Sequence, residues 1–172
     1  MRRTESRSGV RVQATAGSHV VILGMSASKV ARKGLLGFAI RRTDETEGER
    51  YWLRGMKTFH EVVPFQQPGM SYSLLEHPGQ TFRWADYTAK PGHNYIYEIL
   101  PMRGTPKFLT EGEVVEVAIS TESEGDLGEA HDVYFNRGVA ASQAYSRRFG
   151  NQKPSMMSDG QAKNATSGFH AV

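Results

Sequence analysis

Between His19 and Thr121 the sequence is divided into short runs in which apolar and polar residues alternate. The runs LLGFAIRR, residues 35–42, and NYIYEIL, residues 94–100, each place three large apolar side chains on one face. Alternation with a period of two is typical of a β-strand with one buried face. Polar turns such as TDETEGE, residues 43–49, separate the runs. Many short strands between turn signals predict a mainly β protein built as an antiparallel β-sandwich.

One connection makes this prediction more specific. In TAKPGHNYIYEILPMRGTP, residues 88–106, a turn at Pro91 and Gly92 precedes a strand that begins with Tyr95. This arrangement resembles the corner between the fifth and sixth strands of immunoglobulin-like and fibronectin type III-like sandwiches, where a tyrosine hydroxyl bonds backbone a few residues upstream. Tyr95 is the predicted corner residue, and Trp84 is the large aromatic anchor of the preceding strand. We expect all four residues to be structural.

The ends of the chain differ in composition from its centre. Residues 1–17 contain four arginines and no apolar segment of signal-peptide length, and we expect a disordered basic leader there. The sandwich is assigned to residues 18–122, and a linker with a helix to residues 123–151. Residues 152–172 are rich in Ser, Gly, Asn and Lys, which predicts a polar disordered tail.

The run HDVYFNRGVAASQAYSRRFGN, residues 131–151, changes the hydrophobic period from two to that of a helix. Asn136 is suited to cap the helix and Gly150 to end it. We therefore predict one C-terminal helix after the sandwich. Its apolar stripe would either pack on the sandwich or form a docking surface, and consists of Val139, Ala140, Ala144 and Tyr145.

Several chemistries lack their sequence patterns. The chain has no cysteine, and none of its six histidines pairs with another at helical metal-site spacing. The serine elbow Gly-x-Ser-x-Gly and the glycine-rich phosphate-binding loops do not occur either. No catalytic residue, cofactor or metal site is therefore predicted. Trp52 and Tyr87, whose parity is opposite to that of the core aromatics, are candidates for an exposed binding face.

Charge and hydropathy limit the partners. A net charge of +3 is mild, and basic residues at 2, 3, 7 and 11 lie in the expected leader, so we predict no nucleic-acid binding. No segment reaches about 20 apolar residues, so we expect a soluble, cytoplasmic protein without a transmembrane segment. A protein partner or a catalytic domain is expected, and a small-molecule substrate is not.

The segment from His19 to Pro154 resembles the amino-terminal region of bacterial proteins of the phospholipase D superfamily, in which a fibronectin-like sandwich precedes the catalytic domains. Three motifs carry this resemblance: GLLGFAIRR at residues 34–42, FRWADYTAKPGHNYIYEILPMRGTP at residues 82–106, and VYFNRGVAASQAYSRRFGNQKP at residues 133–154. The last motif is the most specific of the three.

The resemblance transfers no catalytic residue. Enzymes of that superfamily use His-x-Lys-x-x-x-x-Asp motifs, and none of the six histidines here is followed by lysine two positions later. The leading hypothesis is therefore a non-catalytic accessory module that docks or positions a catalytic domain or partner. Two alternatives remain: a free-standing binding domain for carbohydrate, envelope polymer or protein, and a fragment of a phosphodiester hydrolase whose active site is missing.

Overall fold

A computed structural model describes residues 1–67, 69–124, 152 and 156 of the 172-residue chain. The chain divides into two compact units, Met1–Phe135 and Asn136–Val172, and nearly all described residues belong to the first. The described part is mainly β. Its strands are β1 (Arg2–Arg7), β2 (Val10–Ala16), β3 (Val21–Ala27), β4 (Gly37–Asp44), β5 (Glu49–Trp52), β6 (Arg54–Gly55), β7 (Tyr72–Ser73), β8 (Arg83–Asp86), β9 (Asn94–Thr105), β10 (Phe108–Glu111) and β11 (Val115–Ser120).

The strands form two larger antiparallel sheets and one small one. The first sheet has the order β1-β2-β3-β8, and the second has the order β10-β9-β4-β5. Strand β9 is long enough to pair with two strands on one edge: residues 94–99 pair with β11, and residues 102–105 pair with β10. Strand β4 pairs along the other edge of β9, and β6 pairs with β7. The predicted antiparallel β class is confirmed.

One apolar core is shared by the two larger sheets. Buried and exposed residues alternate along β2 and β3, as expected for strands with one face on a core. The core cluster contains Val12 and Leu23 from the first sheet and Ile40, Ile99 and Val117 from the second, all at most 1% exposed. Outward-facing residues of the second sheet build a separate, smaller apolar cluster around Ala39, Leu100 and Met102.

The prediction of a disordered leader over residues 1–17 is wrong. Strands β1 and β2 form a hairpin there, closed by Ser8 and Gly9, whose φ angles of 46° and 78° suit a two-residue hairpin turn. The physical reason is the alternation in β2, which sends four apolar side chains into the core while the polar residues between them stay outside. The arginines of β1 lie on a strand that is exposed along its whole length.

The other predicted segments fall mostly outside the described residues. The helix capped by Asn136, with Val139, Ala140, Ala144 and Tyr145 on its apolar stripe, lies there, as does almost all of the predicted tail. Within the residues that are described, no helix is long and apolar enough to cross a membrane.

Candidate functional site

A buried ion pair joins the two sheets. Arg42 on β4 donates from Nη1 to Oδ2 of Asp86 on β8 over 3.0 Å, and both side chains are only 3% exposed. Arg42 Nη1 also donates to the Thr88 hydroxyl over 2.7 Å. Burial lowers the pKa of Arg42, but Asp86 outweighs this, so the pKa is raised above its ordinary value. The guanidinium is therefore a permanent charge inside the fold.

Asp86 accepts three further hydrogen bonds. The Tyr97 hydroxyl donates to Asp86 Oδ2 over 2.9 Å, and the Thr88 amide and hydroxyl donate to Oδ1 over 2.9 and 2.6 Å. Burial raises the pKa of Tyr97, and the negative charge of Asp86 raises it further. The phenol thus stays neutral and acts as a donor. Together Arg42, Asp86, Thr88 and Tyr97 define what we term the inter-sheet network.

Two tyrosine rings cover the guanidinium. Its central carbon lies 4.8 Å from the ring centre of Tyr51 and 5.1 Å from that of Tyr95, within cation–π range. Nη2 donates to the Tyr51 hydroxyl. Nε of Arg42 is buried and has no hydrogen-bond partner in the described part. The arginine is therefore held by its terminal nitrogens and by contacts with two tyrosine rings.

A second polar cluster lies at the end of β4. Nδ1 of His93 is 2.9 Å from Oδ2 of Asp44, whose side chain is 1% exposed, and Oδ1 accepts the amides of Thr46 and Glu47 over 3.0 and 3.1 Å. Burial of this carboxyl opposes its ionisation, but His93 and the two amides outweigh that effect and hold the pKa of Asp44 below its ordinary value. The cluster closes the turn between β4 and β5.

Tyr95, predicted as structural, lies beside this cluster, with its ring centre 5.9 Å from that of His93. The Tyr95 hydroxyl accepts the backbone amide of Lys90, five residues upstream, over 2.8 Å, which is the contact expected of a corner tyrosine. Burial raises the pKa of Tyr95 to about 12. Gly92 has a φ of 69° in the turn that follows Pro91, a conformation that glycine adopts without strain. Trp84 is half-buried and packs on the core.

The candidate exposed aromatics differ in how accessible they are. Tyr87 is 44% exposed. Trp52 is only half-exposed, and the Arg41 guanidinium lies 4.8 Å from its ring centre. Arg41 also binds Glu98 through two hydrogen bonds of 2.7 and 2.6 Å, and Arg50 binds the same carboxylate. The Arg41 hydrogen bond is the main cause that lowers the pKa of Glu98. Trp52 is the last residue of β5 in the second sheet, and Tyr87 directly follows β8 of the first sheet, so the structure does not bring them to one sheet.

An open groove lies over the smaller apolar cluster of the second sheet. It encloses about 570 Å³. The lining combines apolar and charged residues: Glu61, Val62, Leu75, Glu76, Met102, Pro106, Lys107, Leu109 and Glu111. We term it the outer groove.

The described residues offer no cluster of three or more metal-ligating side chains. His77 is used in packing: its Nδ1 accepts the Phe59 amide over 3.4 Å and its ring meets that of Tyr72 edge-on. His131, Asp132 and Ser142, the mixed residues of the C-terminal run, lie outside the described residues.

Sequence reasoning missed the inter-sheet network although a signal for it was present. Phe38 and Ile40 point inward, so the same parity places Arg42 and Asp44 inside as well. A buried arginine needs a partner of opposite charge, such as a carboxylate from a facing strand. Asp86 is at an inward-facing position of β8. The alternation of inward and outward positions alone could have placed both charged residues inside the fold. It does not determine which carboxylate pairs with the arginine.

Comparison with known proteins adds no assignment. No protein-family model matches this sequence, and no curated protein matches it.

Proposed function

We propose that this chain is a non-catalytic β-sandwich module of the immunoglobulin and fibronectin type III kind, which docks or positions a catalytic domain or partner protein. The strand order supports the fold assignment. Such sandwiches place strands A, B and E in one sheet and C, F and G in the other. Here β2, β3 and β8 are neighbours in one sheet, and β4, β9 and β11 in the other. Tyr95, near the start of the strand equivalent to F, supplies the corner bond.

The non-catalytic part of the proposal is supported by the hydrogen bonds that the buried carboxylates already accept within the fold. Asp86 accepts four hydrogen bonds from its own fold, and Asp44 is enclosed by His93 and two amides. A general base or nucleophile needs a free lone pair within reach of a substrate. These carboxylates are buried, and their lone pairs accept hydrogen bonds that hold strands and turns in place. That is the behaviour of a structural module, and it agrees with the resemblance to phospholipase D-like proteins without their histidine–lysine motifs.

The non-catalytic part is tested with bis-p-nitrophenyl phosphate as substrate. We expect no hydrolysis above the buffer rate by the purified chain. A Val12→Asp variant, whose charge in the core should prevent folding, is purified in parallel as the contamination control. Hydrolysis that co-elutes with the folded chain and is missing from the Val12→Asp preparation would overturn this part.

The docking part is tested in the cells from which the gene comes. We expect a tagged chain recovered from them to carry phosphodiesterase activity that the chain purified alone lacks. Recovery without phosphodiesterase activity contradicts the proposal, because no catalytic partner would then have been bound.

A further inference from the structure

We propose that the outer groove binds an apolar segment of a partner protein that carries lysine or arginine side chains. This inference rests on the proposed docking function and names the surface and the chemistry of the partner. The shape of the groove, its charge and the exposure of the neighbouring loop support it.

The groove has an apolar floor and a charged rim. The β9–β10 hairpin contributes Met102, which is buried, and Leu109, which is half-buried and packs on the same cluster. The connection between β6 and β7, together with the residues just after β7, contributes Val62 and Leu75. A volume of about 570 Å³ lies within the range of sites that hold several side chains or a small ligand.

The rim of the groove has a net negative charge, whereas the chain as a whole has a net positive charge. Three glutamates, at positions 61, 76 and 111, face one lysine, Lys107, in a protein of net charge +3. None of these glutamates forms an ion pair within residues 1–67 and 69–124. Elsewhere the exposed carboxylates of Glu47 and Glu113 do bind a cation. Glu111 also contributes to raising the pKa of Arg41. Carboxylates that form no ion pair in the described part of the chain, placed around an apolar floor, are complementary to a cationic, apolar segment.

The loop beside the groove exposes several large apolar side chains. The connection from β6 to β7 carries four exposed large apolar side chains: Met56, Val62, Phe65 and Met70. Phe65 is 90% exposed. Large exposed apolar side chains next to a polar rim are typical of protein-binding sites. Nucleic acids and anionic lipid surfaces fit poorly, because the three carboxylates would repel their phosphates.

The test measures binding of a defined probe to the full chain. The probe is a fluorescein-labelled amphipathic peptide of leucine and lysine, followed by fluorescence anisotropy, and a peptide with glutamate in place of every lysine is the probe control. We expect saturable binding of the lysine peptide only. The triple variant Glu61→Lys/Glu76→Lys/Glu111→Lys should weaken it roughly tenfold, as expected for three exposed ion pairs. Leu109→Asp should also weaken binding of the lysine peptide, because it places a charge in the apolar floor of the groove.

A matched variant separates the groove from overall charge. Glu5→Lys/Glu45→Lys/Glu49→Lys changes three exposed glutamates outside the groove and produces the same net charge. It should bind the lysine peptide as the unmodified chain does. An equal loss in both triple variants, or no loss in either, overturns the inference. So does stronger binding to phosphatidylglycerol vesicles than to the peptide, or a dimer in sedimentation that the groove variant dissociates. Circular dichroism confirms that each variant is folded.

The two proposals fail in different ways. If the peptide binds in the groove but the tagged chain recovers no phosphodiesterase, the groove assignment stands and the proposed function falls. If phosphodiesterase is recovered equally with the groove triple variant, the groove assignment falls and the docking function stands.

Discussion

Arg42 and Asp86 carry opposite charges in a place where an unpaired charge is very costly. Their side chains bridge the two sheets and are almost fully buried. Removing one partner of a buried pair typically costs about 3–5 kcal/mol, because the other charge remains in the interior. We therefore expect Asp86→Leu to lower the free energy of unfolding by that amount, measured by urea denaturation followed by circular dichroism.

The double variant distinguishes a charge effect from a packing effect. Arg42→Met/Asp86→Leu removes both charges, so it should be more stable than Asp86→Leu alone. The single variants Arg42→Met and Asp86→Leu are measured beside it. If their two losses in the free energy of unfolding simply add up to the loss in the double variant, the pair is not coupled and the account of the inter-sheet network is wrong.

Tyr95 makes one hydrogen bond whose loss can be measured separately from its ring packing. Tyr95→Phe keeps the ring in the core and leaves the Lys90 amide without its acceptor. We expect a loss of about 1 kcal/mol in the free energy of unfolding, the usual net value of such a bond. Tyr87→Phe is the matched control, because Tyr87 is exposed, and it should leave stability unchanged in the same urea titration.

At the scale of elements, alternation of apolar residues predicted two strands that form the centre of the second sheet. The runs at residues 35–42 and 94–100 became β4 and the first part of β9, because each has one face on the core. The prediction failed for β1 and β2, where Arg2, Arg3, Arg7 and Arg11 made the segment read as a solvated arm. The apolar residues of β2 are small, namely two valines and two alanines, so their hydropathy signal was weak although their period was correct.

The candidate site was less predictable than the strands, for a physical reason. The sequence places Tyr95 and its turn within a few residues of each other, so a local motif was enough to find that contact. The outer groove instead combines residues about 50 positions apart along the chain, and the Arg42–Asp86 pair is separated by 44 positions. Contacts of that kind depend on which strands become neighbours, and periodicity does not determine strand order.

The β1–β2 hairpin is an integral part of the fold, and a substitution in it should show this. Val12 is fully buried in β2. Val12→Ala removes two buried methyl groups and should lower the free energy of unfolding by about 2 kcal/mol, at roughly 0.8 kcal/mol for each group. Val30→Ala makes the same chemical change at a position that is 86% exposed and should cost nothing measurable. Equal stability of the two variants in thermal or urea unfolding would contradict the assignment of β2 to the core.

At the scale of the whole molecule, carboxylates couple stability to pH. The pKa values of Asp44 and Glu98 are both held below their ordinary values in the folded chain. The unfolded chain therefore takes up these protons at a higher pH than the folded one does. The stabilisation is complete above the ordinary carboxylate pKa of about 4 and is lost as the pH falls through the lower folded values.

The free energy of unfolding should accordingly be steady from neutral pH down to about pH 5 and fall steeply below about pH 4. Asp44→Asn deletes one of these carboxyls, so its stability at neutral pH should be lower and its decline in acid shallower. Glu5→Gln, on the exposed strand β1, is the control and should follow the unmodified chain at every pH. Urea titrations at pH values from 7 to about 3 measure all three curves. An Asp44→Asn curve parallel to that of the unmodified chain would mean that Asp44 does not contribute to the acid sensitivity of the fold.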